Sequence, residues 1–419
     1  MKFVHCADIH LDSPLRGLDR YPGAPAEQLR SATRRAFEKL IELAITLQVA
    51  FVLIAGDLYD GDWQDFNTGL FFVEQMTRLA QRNIAVFLLK GNHDAESRMT
   101  RQLPLPPNVH VFGADHPATV RLDSLGVAIH GMSFARPAID VDLAALYPSR
   151  VNGMLNIGML HTCLTGREGH EPYAPTSIDT LLSKRYDYWA LGHVHQREVV
   201  NRDPWIVFPG NLQGRHIRET GPKGCTVVSV ENGLITEVSA HAIDVLRWAE
   251  VAVDCTDAAD FDEVKERAER ALRQAIEAAD ERPVAARVLL RGVCRAHQYM
   301  AAHVETVKNE MRAIGLACGY EALWIEKVKM QTRASIASEA LVGRDDPFGD
   351  LVRLLRQVRE DEAELTALGG AWHDLKKKLP PELAEGSRAV LAESPQRMRE
   401  LLDDVERLLL PRLLDGVTP

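Results

Sequence analysis

Histidine and carboxylate side chains hold divalent metal ions and move protons. Five short clusters of them punctuate the first half of this 419-residue chain: Asp8-Ile9-His10, Gly56-Asp57, Gly91-Asn92-His93-Asp94, His161 and Gly192-His193-Val194-His195. Asp, Asn and His are ligands that suit Mn2+, Fe2+ or Zn2+. In Asp8-x-His10 and His193-x-His195 the spacing is two, which on an extended segment turns both side chains to the same side. Each pair can therefore converge on one ion, and the neighbouring glycines let the backbone turn sharply beside it. A single histidine is usually structural or superficial. His110, His116, His170, His241, His297, His303 and His373 lie outside the pattern and read that way.

The elements that must position these clusters are legible as apolar runs. Residues 2–6, 50–55, 84–89, 156–160 and 187–191 read as buried strands, each followed at once by one of the five clusters. Residues 126–131 and 205–208 read as further strands, and 26–48 and 67–82 have helical spacing. The alternation predicts an α/β core, in which ligands gather at the carboxyl ends of the strands. Strands at 224–230 and 234–240 flank the turn signal Asn232-Gly233. A second unit follows as strand 248–254, helix 259–279, strand 284–293, helix 298–315 and strand 322–330. The remainder reads as helical: 347–368, stopped by Gly369-Gly370, then a helix opened by Ser394-Pro395. The expected division is a core over 1–245, a small α+β domain over 246–333 and a helical segment over 334–419.

A net charge of −10 argues against a protein that holds nucleic acid by bulk charge alone. It leaves room for a nuclease, because two bound divalent cations bring about four positive charges to the site itself. The six cysteines are scattered without a Cys-x-x-Cys pair, so neither a disulfide framework nor a zinc-thiolate cluster is expected. No apolar stretch is long enough to span a membrane. With no signal peptide visible, the expected location is the cytoplasm.

Taken together and in this order, the five clusters resemble the calcineurin-like metallophosphoesterase superfamily. Within it the chain is similar to SbcD-type DNA repair exonucleases, and to the YhaO-like bacterial branch through the run from His5 to Leu18 and the run from Pro209 to Ile217. The resemblance implies an α/β fold: a β-sandwich core flanked by helices, a small α+β capping domain and a helical C-terminal tail. It also implies two divalent ions, with Mn2+ first and Fe2+ or Zn2+ as alternatives. One ion would take Asp8, His10, Asp57 and His195, and the other Asp57, Asn92, His161 and His193. His93 would face the scissile phosphate and Asp94 would orient His93. An activated water would attack phosphorus in line while the ions neutralise charge on its oxygens. The pattern departs at Asp60, where some relatives carry a histidine, so that histidine's phosphate contact is not carried over.

Beyond the clusters, Asn211, Gln213, Arg215 and His216 form a polar loop that reads equally as a substrate-phosphate contact or as a hydrogen-bonded brace. Arg215 is the better candidate for phosphate, because guanidinium matches it bidentately. Lys327, Lys329 and Arg333 alternate and so share one strand face, which fits either DNA backbone or solvent. The C-terminal helices carry apolar stripes that fit packing within the chain or docking onto a partner. By resemblance that partner would be an SbcC-like ABC-type ATPase, and a homodimer is a further expectation. The leading expectation is a metal-dependent DNA exonuclease or endonuclease. The alternatives are a phosphodiesterase acting on nucleotides or other small diesters, and a non-catalytic scaffold for the ATPase.

Overall fold

The computed structural model describes residues 1–13, 31–60, 66–96, 104–164, 174–334, 343–371, 396 and 398–406. It divides into two compact units. The first comprises 1–250 with 276–286 and 321–326, and the second 251–275, 287–320 and 327–419.

The first unit runs β1 (Lys2–Cys6), α1 (Ala32–Thr46), β2 (Phe51–Ala55), α2 (Phe66–Ala80), β3 (Ala85–Leu89), the short α3 (Asn92–Glu96), β4 (Val109–Val111), β5 (Ala118–Leu122), β6 (Val127–Gly131), β7 (Leu155–His161), α4 (Ile178–Ser183), β8 (Tyr188–Gly192), β9 (Glu198–Arg202), β10 (Trp205–Phe208), β11 (Gly224–Glu231) and β12 (Leu234–Ala242). These strands make two six-stranded sheets, ordered β12-β11-β1-β2-β3-β4 and β5-β6-β7-β8-β10-β9. In each sheet four strands are parallel: β1 to β4 in one, and β6, β7, β8 and β10 in the other. Antiparallel strands form one edge of the first sheet (β11 and β12) and both edges of the second (β5 and β9).

Side-chain alternation assembles the layers. From β2, Phe51 and Leu53 pack between the sheets with Phe3, Phe87, Ile157 and Tyr188. Val52 and Ile54 point the other way, against Phe37, Leu40, Phe72 and Met76 of α1 and α2. From β8, Ala190 joins the inner layer, while Trp189 and Leu191 pack outward with Leu181 of α4. The central strands are thus buried on both faces, and so they read in sequence as continuous apolar runs. The β11–β12 hairpin turns through Asn232 and Gly233, both at positive φ (51° and 76°), the geometry that favours Asn-Gly in two-residue loops.

A three-stranded sheet has the order β13 (Arg247–Asp254), β14 (Val284–Cys294), β15 (Leu323–Ala334). Its connections carry α5 (Phe261–Glu277), α6 (His297–Ala302) and α7 (Val304–Cys318). The single helix expected over 298–315 is therefore two, broken at His303, whose φ of −120° and ψ of 45° leave the helical region. The helix expected over 347–368 is likewise α8 (Pro347–Glu360) and α9 (Glu362–Ala371). Asp361 makes the break, and its carboxylate caps α9 by accepting from Ala363 N and Glu364 N. The chain stays helical through Gly369-Gly370, which do not stop it. Residues 398–406 are helical; Ser394-Pro395 and the start of the expected 26–48 helix lie outside the described residues. Among the described residues no helix is long and apolar enough to cross a membrane.

The inter-sheet layer sets a stability expectation. Phe51 stacks on Phe3 at 5.0 Å and meets Phe87 edge-on at 6.0 Å, with no exposed surface. Phe51→Ala should cost roughly 3–5 kcal/mol, read as a lower urea midpoint for the transition that reports the first unit.

Candidate metal centre

Three of the five clusters leave their strands through turns that the sequence does not advertise. Asp8, His10, Asp57 and His193 have φ of 50°, 46°, 52° and 99°, a left-handed region that side chains other than glycine seldom occupy. Backbone bonds lock the strained segments together: Asp8 N to Gly56 O at 3.0 Å, His10 N to Asp57 O at 3.1 Å and Leu11 N to Leu58 O at 2.9 Å. Two glycines are steric requirements. A Cβ at Gly91 would lie 2.3 Å from Asp57 Oδ1, and one at Gly56 2.4 Å from His161 Nδ1.

The turns aim the side chains inward. Asp8, His10 and His195 bring ligand atoms within 4.8 Å of one another, and so do Asp8, Asp57 and His161. Asn92 Oδ1 lies 3.0 Å from His161 Nε2, and the His193 ring stands 5.3 Å from that of His161. His195 Nε2 is 3.3 Å from His10 Nε2. The structure therefore gathers Asp8, His10, Asp57, Asn92, His161, His193 and His195 into one pocket. The Asp8 carboxylate also accepts from His193 N at 3.0 Å, which ties β1's end to β8's.

The donor chemistry fits a cation. His161 Nδ1 lies 2.9 Å from Ala55 O. A carbonyl only accepts, so Nδ1 carries the proton and a neutral ring presents a bare Nε2. That lone pair faces Asn92 Oδ1 and, at 3.4 Å, Asp57 Oδ2, three acceptors with no proton among them. Without an ion the pocket draws in a proton instead. Burial alone would lower the His161 pKa, but the charge and hydrogen bond of Asp57 outweigh it and push it up to about 9. Burial would raise Asp57, but the same pairing holds that carboxyl far below its usual range. His10 is driven the other way, down to about 3, by burial and by the charge of Arg215. A pocket that favours positive charge at one point and refuses a protonated ring at another is suited to divalent ions.

His93 stands apart, half-exposed, on a cavity of about 510 Å³ that Asp57, Asn92, His195 and Arg215 also line. The expected pairing of Asp94 with His93 is not what the fold makes. The Asp94 carboxylate accepts from Leu58 N, Tyr59 N and Gly91 N at 3.1, 2.9 and 3.1 Å. Consecutive residues of a helical turn point about 100° apart, so Asp94 faces the loop behind while His93 faces the cavity. Burial and the charge of Asp57 push the Asp94 carboxyl up to about 6 against those three amides. The carboxylate at His93 is Asp60, whose Oδ1 lies 3.2 Å from His93 Nδ1 and 3.5 Å from His10 Nδ1. Ser13 Oγ donates to Asp60 at 2.7 Å. The one sequence signal for Asp60 is its place three residues after Asp57.

The polar loop after β10 divides. Asn211 is buried, donates to Gln213 O and Glu219 Oε2, and does not line the cavity. It braces the loop, so the expectation of substrate contact is corrected there. Arg215 and His216 do line the cavity. Arg215 holds Glu219 Oε1 at 3.2 Å and reaches Asp60 Oδ1 at 3.8 Å. Glu219, which carries no signal in the sequence, meets His195 Nδ1 at 2.7 Å.

The corrected place of Asp94 has a measurable consequence. Asp94→Ala strands three buried amide donors and should cost on the order of 3 kcal/mol or more, whereas His93→Ala should move stability by less than about 1 kcal/mol. Urea denaturation of the two variants side by side distinguishes a structural staple from a partner of His93.

Comparison with known proteins agrees with this geometry. Residues 1–197 match the family model described as calcineurin-like phosphoesterase, and residues 248–333 that of the metallophosphoesterase YhaO middle domain. The "Uncharacterized metallophosphoesterase YhaO" of Bacillus subtilis is 38% identical over 262 residues, 62% of this chain and 64% of that one. A DNA double-strand break repair protein Mre11 from Methanopyrus kandleri is 24% identical over 229 residues, 50% of this chain and 48% of its own. A component of the SbcCD nuclease from Staphylococcus saprophyticus is 24% identical over 269 residues, 57% of this chain and 68% of its own. The chain thus spans about half to two thirds of these relatives' own length. With a matching family model over the core, a second over the β13–β15 region and the strand-end pocket of candidate ligands, residues 1–197 form a calcineurin-like phosphoesterase domain.

Proposed function

We propose that this chain is a two-metal phosphodiesterase that cuts DNA in the processing of DNA ends. The observation that carries it is the place of Asp57, whose Oδ2 lies 3.9 Å from His10 Nε2 on one side and 3.4 Å from His161 Nε2 on the other. In this reading Asp57 is shared. Asp8, His10 and His195 complete one metal site, and Asn92, His161 and His193 the other. Two divalent ions there, Mn2+ first among them, would neutralise charge on the phosphate oxygens and acidify a water.

The chain's own residues supply the rest. Asp60 Oδ1 stands 3.2 Å from His93 Nδ1, and His93 lines the cavity. In its protonated form His93 stabilises charge on the phosphate and delivers the Nε2 proton to the leaving oxygen as the ester bond breaks. Arg215 and His216 stand on the cavity wall for the substrate's phosphates. DNA as substrate is supported by the DNA repair and nuclease names that the Mre11 and SbcCD relatives bear. It is also supported by Lys327 and Arg333, exposed on β15 and alternating with buried Val328 and Thr332. An SbcC-like ABC-type ATPase as partner is supported by α8 and α9, which leave Leu354 and Leu368 54% and 42% exposed.

Two variants and three substrates test the reading. With Mn2+, end-labelled linear duplex should be cut, and His93→Ala should lower kcat by about 10²- to 10⁴-fold with bound metal unchanged. Asp57→Asn should abolish both activity and uptake of the second equivalent of Mn2+ in calorimetry. Cleavage of a small phosphodiester with neither duplex nor single-stranded DNA cut would sink the DNA reading and leave a phosphodiesterase of small substrates.

A further inference from the structure

We infer that Glu219 is the positioning residue for His195, fixing the tautomer that turns the His195 Nε2 lone pair toward the metal pocket; the inference rests on the two-metal reading. Glu219 lies in the loop between β10 and β11 and is 5% exposed. Its carboxylate is the hub of that loop. It takes His195 Nδ1 at 2.7 Å, Arg215 N at 2.7 Å, Asn211 Nδ2 at 2.9 Å and Arg215 Nη2 at 3.2 Å, with His216 Nε2 at 3.5 Å.

Two groups compete to set the state of His195 Nδ1. Besides Glu219, Arg215 Nη2 stands 3.3 Å from the same nitrogen. A guanidinium has donors only, so alone it would favour a bare Nδ1 and move the ring proton to Nε2. That proton would then point at His10 Nε2, 3.3 Å away, in the direction from which an ion must be bound. A carboxylate accepts only, so Glu219 at 2.7 Å reverses the preference. It holds the proton on Nδ1 and satisfies Arg215 through its own oxygens. The His195 main chain needs no such help, since its carbonyl accepts from Lys223 Nζ at 2.9 Å and Asn211 N at 3.3 Å. What Glu219 adds is therefore control of the ring. Partners that orient a metal-binding histidine in this way raise metal affinity roughly 10- to 100-fold.

Two measurements decide it. In the metal-free wild-type protein, long-range nitrogen–proton NMR correlations of the His195 ring should show Nδ1 protonated and Nε2 bare. A ring protonated at Nε2 would overturn the inference without any variant. In calorimetry with Mn2+, wild type should take up two ions. Glu219→Ala should weaken one of them roughly 10- to 100-fold and leave the other unchanged. Glu219→Gln, which keeps an acceptor oxygen, should recover part of the loss. Both ions binding Glu219→Ala with wild-type affinity would overturn the role of Glu219 while leaving the two-metal reading standing. Wild-type protein that takes up no Mn2+ would overturn that reading, and with it the purpose of the tautomer.

Discussion

Two carboxylates and the bare nitrogens of several imidazoles share one buried pocket, and the rest of the core is arranged to keep them there. Asp8 and Asp57 are each 1% exposed. Like charges at this burial repel one another and have lost the water that would screen them. Burial raises the pKa of Asp8; it works against the charge of Asp57 too, but His161 chiefly outweighs it there. A cation among them turns the repulsion into attraction, which is why an arrangement so costly for the polypeptide alone can be kept. Two histidines a few ångströms apart behave oppositely: burial disfavours the charged ring in both, but Asp57 outweighs it at His161, whereas at His10 the charge of Arg215 adds to it.

Around that pocket stand three carboxylates with three different jobs. Asp94 faces away from the chemistry and gathers three amides, so that the turn after β2 and the turn after β3 move as one piece. Asp60 faces the cavity and serves His93 and His10. Glu219 approaches from the loop after β10 and serves His195. Arg215 lies between the last two, within 3.8 Å of Asp60 and 3.2 Å of Glu219. One guanidinium thus offsets the charge of two carboxylates that serve different histidines.

Which parts are legible in sequence follows from these physics. The central strands of both sheets are buried on two faces and declare themselves as unbroken apolar runs. The short β4 and the edge strands β5 and β9 are half-exposed and leave no such pattern. The candidate metal-binding residues are legible because strand-end motifs are local. Asp60 and Glu219 are not, because each acts on a residue distant in sequence: Glu219 meets a histidine 24 positions away and nothing in its neighbourhood marks it. Asp94 misleads for the complementary reason. The resemblance implies a pair with His93, but consecutive residues of a helix point about 100° apart, so the two side chains face different ways. The breaks at His303 and Asp361 fall inside continuous apolar periodicity, where local backbone geometry and a capping carboxylate decide the matter.

The pocket depends in turn on strand register. β1 and β2 pair with Cys6 opposite Ile54, and β7 and β8 with His161 opposite Gly192. Asp8 and Asp57 then leave neighbouring strands at matching height, and a slip of one residue would turn every side chain of a strand to the opposite face. What prevents the slip is the alternating core: Phe51 and Leu53 between the sheets, Val52 and Ile54 against the helices. Gly192 shows how tight the closure is, since a Cβ there would lie 1.9 Å from Ala55 O. That carbonyl fixes the proton of His161. The contact that settles the tautomer of His161 and the contact that closes the two sheets therefore share one atom, so loosening the sandwich and mis-setting the strand-end pocket would be the same event.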